Sequence, residues 1–353
     1  VTELTVSSTK STEGIKLRSI LTVVAPLIGA LVGFAIGALL IMIAGSNPIE
    51  AYSELLSGAF GGKRQIQETI LRASPLLMMG LGMTVAFRAR VWNIGGEGQF
   101  FMGALFGGLV ALTFPDLHPA ILLPAILLAG MIGGLMWALI PGILKVKRGM
   151  SEIISTLMLN YIAILLMEYL ARGPLQDPDS YLPESAKFVR ASRLPQLFDT
   201  RIHVGVVIAL ILIPVVYVLL WNTPLGFRLR AVGSRQSVAE YAGVNVGRSI
   251  LFSIAFSGAL CGMAGLIEVS TVHFRLKGAI SAGYGFTAIL VALLGRTHPV
   301  GVLIAAIFFA ALDVGAQSMH ALFGLPITLA DAIKAVIVLS VLAADALARR
   351  RSD

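Results

Sequence analysis

The sequence is poor in the residues on which most reaction chemistry depends. Its 353 positions hold one cysteine, five dispersed histidines and only 13% charged residues. A single cysteine, Cys261, excludes a disulfide framework, and its place inside an apolar run reads as a small core residue. The histidines at 118, 203, 273, 298 and 320 have no spacing with Cys, Asp or Glu that suggests a metal site. A Ser-centred nucleophile elbow and a convincing acid/base pair are also missing. So is the G-x-x-x-x-G-K-[ST] phosphate loop, which closes that route to ATP binding and hydrolysis. "GGEG" follows no strand and is not a cofactor loop.

Apolar residues are abundant, at 57%, and the mean hydropathy is +0.87. A soluble chain of this length cannot hide so much apolar surface. Many runs approach the roughly 20 residues that cross a bilayer as a helix. Lipid admits only helical bundles and closed barrels, and continuous rather than alternating runs select the bundle. The fold class is therefore all-α, a polytopic membrane protein. The net charge of +8 is scattered through short loops between the runs. That is the pattern of topology determinants rather than of a nucleic-acid face, so no nucleic-acid partner is expected.

About ten transmembrane helices fit: Ile20–Ala44, Ser74–Phe87, Phe100–Phe114, Ala120–Val146, Ile153–Ala171, Val204–Trp221, Ile250–Val269, Phe286–Leu294, Val300–Gln317 and Ala330–Leu347. The second, third and eighth are short, so their polar flanks must enter the membrane thickness where protein or a watery cavity surrounds them. Lys and Arg collect in alternate loops, among them Arg88, Arg90, Lys145, Lys147, Arg148, Arg228 and Arg230, whereas "PDLHP" and "SMHALFGLPIT" have none. Both termini then face the cytoplasm. The amino-terminal "VTELTVSSTKSTEGIKLRS" is too long and polar for a signal peptide, and the first run reads as a retained anchor. The expected layout is a cytoplasmic segment 1–19, one transmembrane domain 20–347 with a cytoplasmic loop at 222–249, and a basic tail 348–353. Segments 45–73 and 172–203 read as longer outer loops.

Ten spans divide into two possible inverted halves of five. Each half has a glycine-rich break after its second span, Arg88–Ala104 ("RARVWNIGGEGQFFMGA") and Lys277–Phe286 ("KGAISAGYGF"). Interrupted segments at matching places are the best sequence pointer to a transport pathway. Gly103/Gly107, Gly130/Gly134 and Gly258/Gly262 are small-xxx-small pairs that let helix backbones approach closely. Asp313 and Lys334 fall at similar depth in the last two spans. They are expected to pair or share a polar pocket, and a buried ion pair that only fixes helix register is the alternative. Glu168/Arg172 and Asp345/Arg349 read as ordinary i,i+4 pairs. In the loop 222–249, Ser234 can cap a short helix through "RQSVAEYAG" that Gly243 ends. Val238, Tyr241 and Ala242 would share one face, to dock in a partner's groove or to lie on the membrane.

Three stretches, "AFRARVWNIGGEGQFFMGA", "GMSEIISTLMLNYIA" and "TPLGFRLRAVGSRQSVAEYAGVNVGRSILFSIAFSGALCGMAGLIEV", resemble permease subunits of bacterial ABC importers for nucleosides and simple sugars. This is the superfamily that also holds ribose-type and branched-chain amino acid permeases, and the nucleoside-type branch looks nearest. The resemblance implies a multi-pass protein of the bacterial inner (plasma) membrane, working as a dimer with a paralogous permease or a second copy. It implies a separate ATPase subunit that binds ATP and Mg, no cofactor in this chain, and an extracytoplasmic substrate-binding protein. "SVAEYAG" is similar to the loop helix through which such permeases engage the ATPase, which singles out Val238, Ala239, Glu240, Tyr241 and Gly243. The usual acidic-Ala-Ala run is reduced here to Val238-Ala239-Glu240.

For a small-molecule solute with ribose hydroxyls and a base, Trp92, Asn93, Glu97 and Gln99 in the first break, with Tyr284 and Phe286 in the second, offer donors, acceptors and aromatic faces. The competing reading is that Asn93 and Glu97 satisfy backbone groups and hold the break in place. A secondary transporter coupled to protons or sodium, using Glu97, Asp313 and Lys334, is the alternative function.

Overall fold

The computed structural model of the chain describes residues 25, 28–197, 200–324 and 326–350. The expected segment 1–19, the start of the first span, the last residues of the basic tail and the Asp345–Arg349 side-chain pair lie outside what is described. Every long element among the described residues is a helix, and β-structure is limited to isolated bridges such as Glu184 with Lys277.

The helices, in chain order, are α1 Ile28–Ile43, α2 Pro48–Phe60, α3 Lys63–Arg88, α4 Gly96–Thr113, α5 Pro119–Arg148 and α6 Glu152–Arg172. They continue with α7 Val204–Trp221, α8 Pro224–Ser234, α9 Gln236–Tyr241, α10 Val246–Glu268, α11 Tyr284–Leu294, α12 Pro299–Phe323 and α13 Ile327–Arg350. Local chemistry sets many ends. Asn47, His118, Thr223 and Asn245 accept first-turn N–H groups of α2, α5, α8 and α10. Proline opens α2, α5 and α8, where its missing N–H costs nothing. Gly149, left-handed at φ 67°, closes α5 just after Lys145, Lys147 and Arg148.

Six of these helices are long and apolar enough to cross a membrane (α3, α5, α6, α7, α10 continued to His273, and α12). α1 and α2, bent by 115° at the break between them, make a seventh as a pair. α4 begins with Gly-Glu-Gly-Gln, and α11 has 11 residues, about half a bilayer at 1.5 Å per residue.

The second span needs correction. Segment 45–73 is not a loop, because α2 and the first turns of α3 occupy it. α3 has 26 residues and is not the short run Ser74–Phe87. In its polar start "KRQIQET" the acidic residue finds cationic partners. Glu68 lies 3.6 Å from Arg72 and accepts from Arg201 at 2.9 Å. Beyond that start, α3 is buried on all sides from Ala73 to Ala86, as a central helix must be.

The described residues form two compact units, 67–310 and a second made of the residues up to 66 with those from 311 onward. Within 67–310, α4, α5 and α10 meet through the three glycine pairs. A Cβ on Gly103 would stand 2.1 Å from Gly262 Cα, and one on Gly134 would stand 2.2 Å from the Gly258 carbonyl oxygen. Backbones therefore touch where any side chain would separate them.

In the other unit, Gly29, Gly33 and Gly37 repeat every fourth residue along α1. Gly29 and Gly33 pack on the backbone of Ser340/Val341 and Ile337 of α13, and Gly37 meets the Tyr52 hydroxyl and the Ile333 side chain. Tyr52 donates to the Phe34 carbonyl at 2.6 Å, and Ser318 donates to Glu54. Lys334 Nζ pairs with Asp313 Oδ1 and lies 3.2 Å from Asp331 Oδ1.

Candidate functional site

The first break occupies residues 89–95 between α3 and α4, and it is ordered by its own side chains. Asn93, Glu97 and Gln99 are buried, at 0%, 3% and 1% exposure. Asn93 Nδ2 donates to Gln99 Oε1 and to Ser257 Oγ of α10, each at 2.9 Å. In return Gln99 Nε2 donates to Asn93 Oδ1 at 2.9 Å, and that oxygen also accepts from Gly95 N. Every polar group of this pair is thereby matched inside an apolar bundle, where an unmatched one would cost about 1–3 kcal/mol.

Four residues along the sequence, Glu97 reaches the second break. Its Oε2 accepts from Gly285 N at 2.6 Å. A Cβ on Gly285 would lie 2.2 Å from Glu97 N, so glycine is what lets the two helix starts meet. The rings of Phe100 and Tyr284 meet at a tilt of 57° beside this contact, with centroids 5.9 Å apart. The second break is fixed by Ser281 Oγ, which accepts from Gly283 N and Tyr284 N at 3.1 Å each. Upstream, Arg275 pairs with Glu184 at 2.8 Å and Asp177 at 3.3 Å, and Phe188 N donates to the Phe274 carbonyl. The segment between α6 and α7 is thus stitched to the chain that leads into the second break.

The six pathway candidates divide by exposure. Trp92 and Phe286 are 43% and 40% exposed, whereas Tyr284, Asn93, Glu97 and Gln99 are buried. Sequence reasoning did not pick out the residues of α6 that hold the first break. Asn160 donates to the Ile94 carbonyl at 2.9 Å and accepts from Gly98 N at 2.8 Å. Thr156 packs on Gly95, and Glu152, itself paired with Lys145, accepts from Trp92 N at 3.4 Å. All three are buried. Their signal was available: Glu152, Thr156 and Asn160 stand four apart, one polar stripe on an otherwise oily helix.

On the other side of the break, Gly233 of α8 packs against the carbonyl of Arg88. Arg88 Nε donates to the Thr297 carbonyl at 3.0 Å, and its guanidinium lies over the Trp221 ring. The loop 222–249 therefore touches the break directly. It contains two helices rather than one. Ser234 ends α8 and does not cap the next helix; Arg235, in extended conformation, takes the N-cap place of α9. Gly243 follows α9 at φ 79°, a conformation that favours glycine. Tyr241 and Val238 of α9 are exposed at 98% and 56%, with Ala242 and Glu240 also exposed, while Ala239 is buried. The expected Glu168–Arg172 pair is not formed. The two instead line a cavity of about 380 Å³ with Glu184 and Lys277.

A bundle of long apolar helices around two interrupted, polar helix starts defines a multi-pass membrane protein of the transport class. The comparisons agree and go further. The profile of the family described as branched-chain amino acid transport system / permease component matches residues 65–342, and the chain belongs to that family. It is 35% identical over 341 residues to the glucose ABC transporter permease protein TsgB13 of Haloferax volcanii, covering 92% of this chain and 88% of that one. It is 37% identical over 322 residues to the guanosine ABC transporter permease protein NupP of Bacillus subtilis, covering 90% and 92%. With the nucleoside ABC transporter permease protein NupB of Lactococcus lactis it shares 32% over 327 residues, covering 90% and 89%. No solved structure matches the chain. The chain is thus an ABC transporter permease, and neither family nor relatives support an ion-coupled secondary transporter.

Proposed function

We propose that this permease imports a nucleoside across the inner (plasma) membrane of a bacterium, in a complex whose separate ATPase subunit binds ATP and Mg. The observation that carries the reading is the meeting of the two breaks through Glu97 and Gly285. Two helices that start inside the bundle, back to back, give a pathway a movable polar waist within an apolar wall. Residues 20–347 act as one transmembrane domain of ten spans in two inverted halves. The segment 1–19 and the tail 348–353 lie on the cytoplasmic side with the loop 222–249. A second permease, a paralogue or another copy, completes the pathway. A substrate-binding protein delivers solute from outside.

Within the waist, the exposed parts of the Trp92 ring, which packs on Phe87, and of Phe286 offer aromatic surface for a base. Asn93, Glu97, Gln99 and Tyr284 hold the waist in shape. On the cytoplasmic side, α9 presents Val238, Tyr241 and Glu240 to the ATPase, with Ala239 anchoring the helix and Gly243 ending it. Its movement reaches the first break through Gly233 and Arg88. Support for a nucleoside over a hexose comes from two of the three relatives and from the exposed aromatics, and the glucose permease keeps the sugar class as the competitor.

The test is uptake by proteoliposomes holding the chain with its partner permease, ATPase and binding protein. ATP-dependent accumulation of guanosine, undiminished by excess glucose, is expected. Glucose uptake in place of guanosine would overturn the substrate, and accumulation driven by an ion gradient without ATP would overturn the mechanism.

A further inference from the structure

A second concave surface lies away from the breaks, between the first turns of α8 and α10. A cavity of about 670 Å³ opens there, lined by Leu225, Phe227 and Arg228 on one side and Asn245, Arg248 and Phe252 on the other. Arg228 and Arg248 are both exposed, and neither guanidinium is paired with a carboxylate among the described residues. Both helices begin at the cavity, so the positive ends of two helix dipoles add to two fixed cationic charges.

The walls also carry apolar surface that a small anion would leave uncovered. Phe227 is 62% exposed beside Arg228, and Leu225 and Phe252 continue the greasy side. The position along the helices matters equally. α7 ends at Trp221, which stacks with Tyr217 at 5.2 Å, and the apolar span of α10 begins at Val246. Trp and Tyr are enriched at the level where a bilayer gives way to water. Cationic groups, apolar walls and an interfacial level together describe one ligand chemistry, a phosphodiester joined to hydrocarbon.

We propose that this cavity binds the headgroup phosphate of an anionic phospholipid, held by Arg228 and Arg248 while Phe227, Leu225 and Phe252 flank its glycerol and upper chain. A phosphate there accepts from both guanidinium groups; because Thr223 and Asn245 already take the Gly226 and Arg248 N–H groups, the helix starts contribute field rather than those bonds. Basic pockets between spans at the membrane border are suited to such headgroups. The bound lipid also lies against Ala242 and Gly243, which end α9. Leaflet composition therefore reaches the segment assigned above to the ATPase, a consequence that rests on that assignment. The lipid site itself does not.

Native mass spectrometry of the delipidated full-length chain, titrated with phosphatidylglycerol or phosphatidylcholine, tests the site without any ATPase. One phosphatidylglycerol per chain should be retained, with a preference of about tenfold or more, as two arginines near an anionic headgroup provide. R228Q/R248Q should lose that preference and R228K/R248K should keep it, which separates lost charge from lost fold. Equal retention of the two lipids by the unaltered chain overturns the proposal, as does unchanged phosphatidylglycerol retention in R228Q/R248Q. Complete displacement of the lipid by millimolar inorganic phosphate marks a free-anion site and also overturns it. In a separate binding assay with the ATPase, weaker binding by an R228Q/R248Q that keeps its lipid marks the cavity as a protein socket and overturns the lipid assignment.

Discussion

Glu97 Oε2 accepts a hydrogen bond from the backbone N–H of Gly285 at 2.6 Å, joining two interruptions that lie 188 residues apart in the chain. The bond is short, buried and bracketed by two helix starts, so its loss strands a donor. E97A leaves the Gly285 N–H without this acceptor and should cost about 1–3 kcal/mol of stability. E97Q keeps an oxygen at the same place and should cost less. Thermal unfolding in detergent, read beside uptake, checks the order wild type, E97Q, E97A. Equal stability of wild type and E97A would mean that the contact does not hold the breaks together.

Asn160 holds the other end of the first break, bonding the Ile94 carbonyl and the Gly98 N–H at once. N160A removes both bonds and leaves space, whereas N160L removes both bonds and fills it. Because the two lost partners are backbone groups of the break, both variants should slow uptake by about tenfold or more. Binding of the ATPase should be unchanged in each. Normal uptake by N160L alone would assign the role of Asn160 to packing.

The docking role of α9 turns on side chains with little to do in the chain itself. Tyr241 is 98% exposed, so Y241A should leave the unfolding temperature unaltered. Exposed tyrosines at a docking face are often the residues that dominate binding, and affinity for the ATPase should fall by about tenfold or more. G243V differs in kind, since its backbone conformation at φ 79° disfavours a branched side chain by about 1–2 kcal/mol. It should uncouple ATP hydrolysis from uptake while the bundle stays folded. Full transport by both variants removes α9 from the docking surface.

Gly262 is where three helices leave no room. A Cβ there would stand 2.3 Å from the Gly130 carbonyl oxygen and 2.8 Å from Gly134 Cα. Backbone atoms cannot swing aside as a side-chain end can, so G262L must push α5 away from α10. Overpacking of this kind costs about 1–3 kcal/mol, and more where backbone must shift. The expected outcome is a large drop in recovered folded protein, measured by size-exclusion chromatography. A well-folded, active G262L would show that α5 and α10 do not approach as described.

Much of this was legible in the chain because lipid restricts the options. Apolar runs placed α5, α6, α7 and α10 within a few residues of their ends, and the spacing of Gly130, Gly134, Gly258 and Gly262 announced close contacts. Periodicity, however, reports that a face is buried and not what buries it. The stripe Glu152–Thr156–Asn160 was visible as a pattern, but its target in the first break required the fold. The meeting of Glu97 with Gly285 depends on packing across most of the chain, which local spacing cannot encode. The polar first turns of α3 misled for a related reason. Arg201, far along the sequence, supplies the partner for Glu68 that makes a charged helix end tolerable.

Lys334 and Asp313 pose a different question, because a buried ion pair can serve transport or only fix how two helices register. Their side chains are 19% and 18% exposed, and Asp331 adds a second carboxylate at 3.2 Å from the ammonium. K334M leaves the part-buried Asp313 without its cation, at a cost below the roughly 3–5 kcal/mol of a fully buried pair. D313L/K334M replaces both members with apolar groups and should recover most of that loss, since desolvating an ion pair offsets much of its attraction. Stability alone does not separate the two roles, but uptake by the double variant does. If it folds and transports, the pair sets register; if it folds and fails, the charges act in the transport cycle. The pair joins α12 to α13, whereas the described contacts of Glu97 join α4 to α11, so uptake by D313L/K334M is expected to survive.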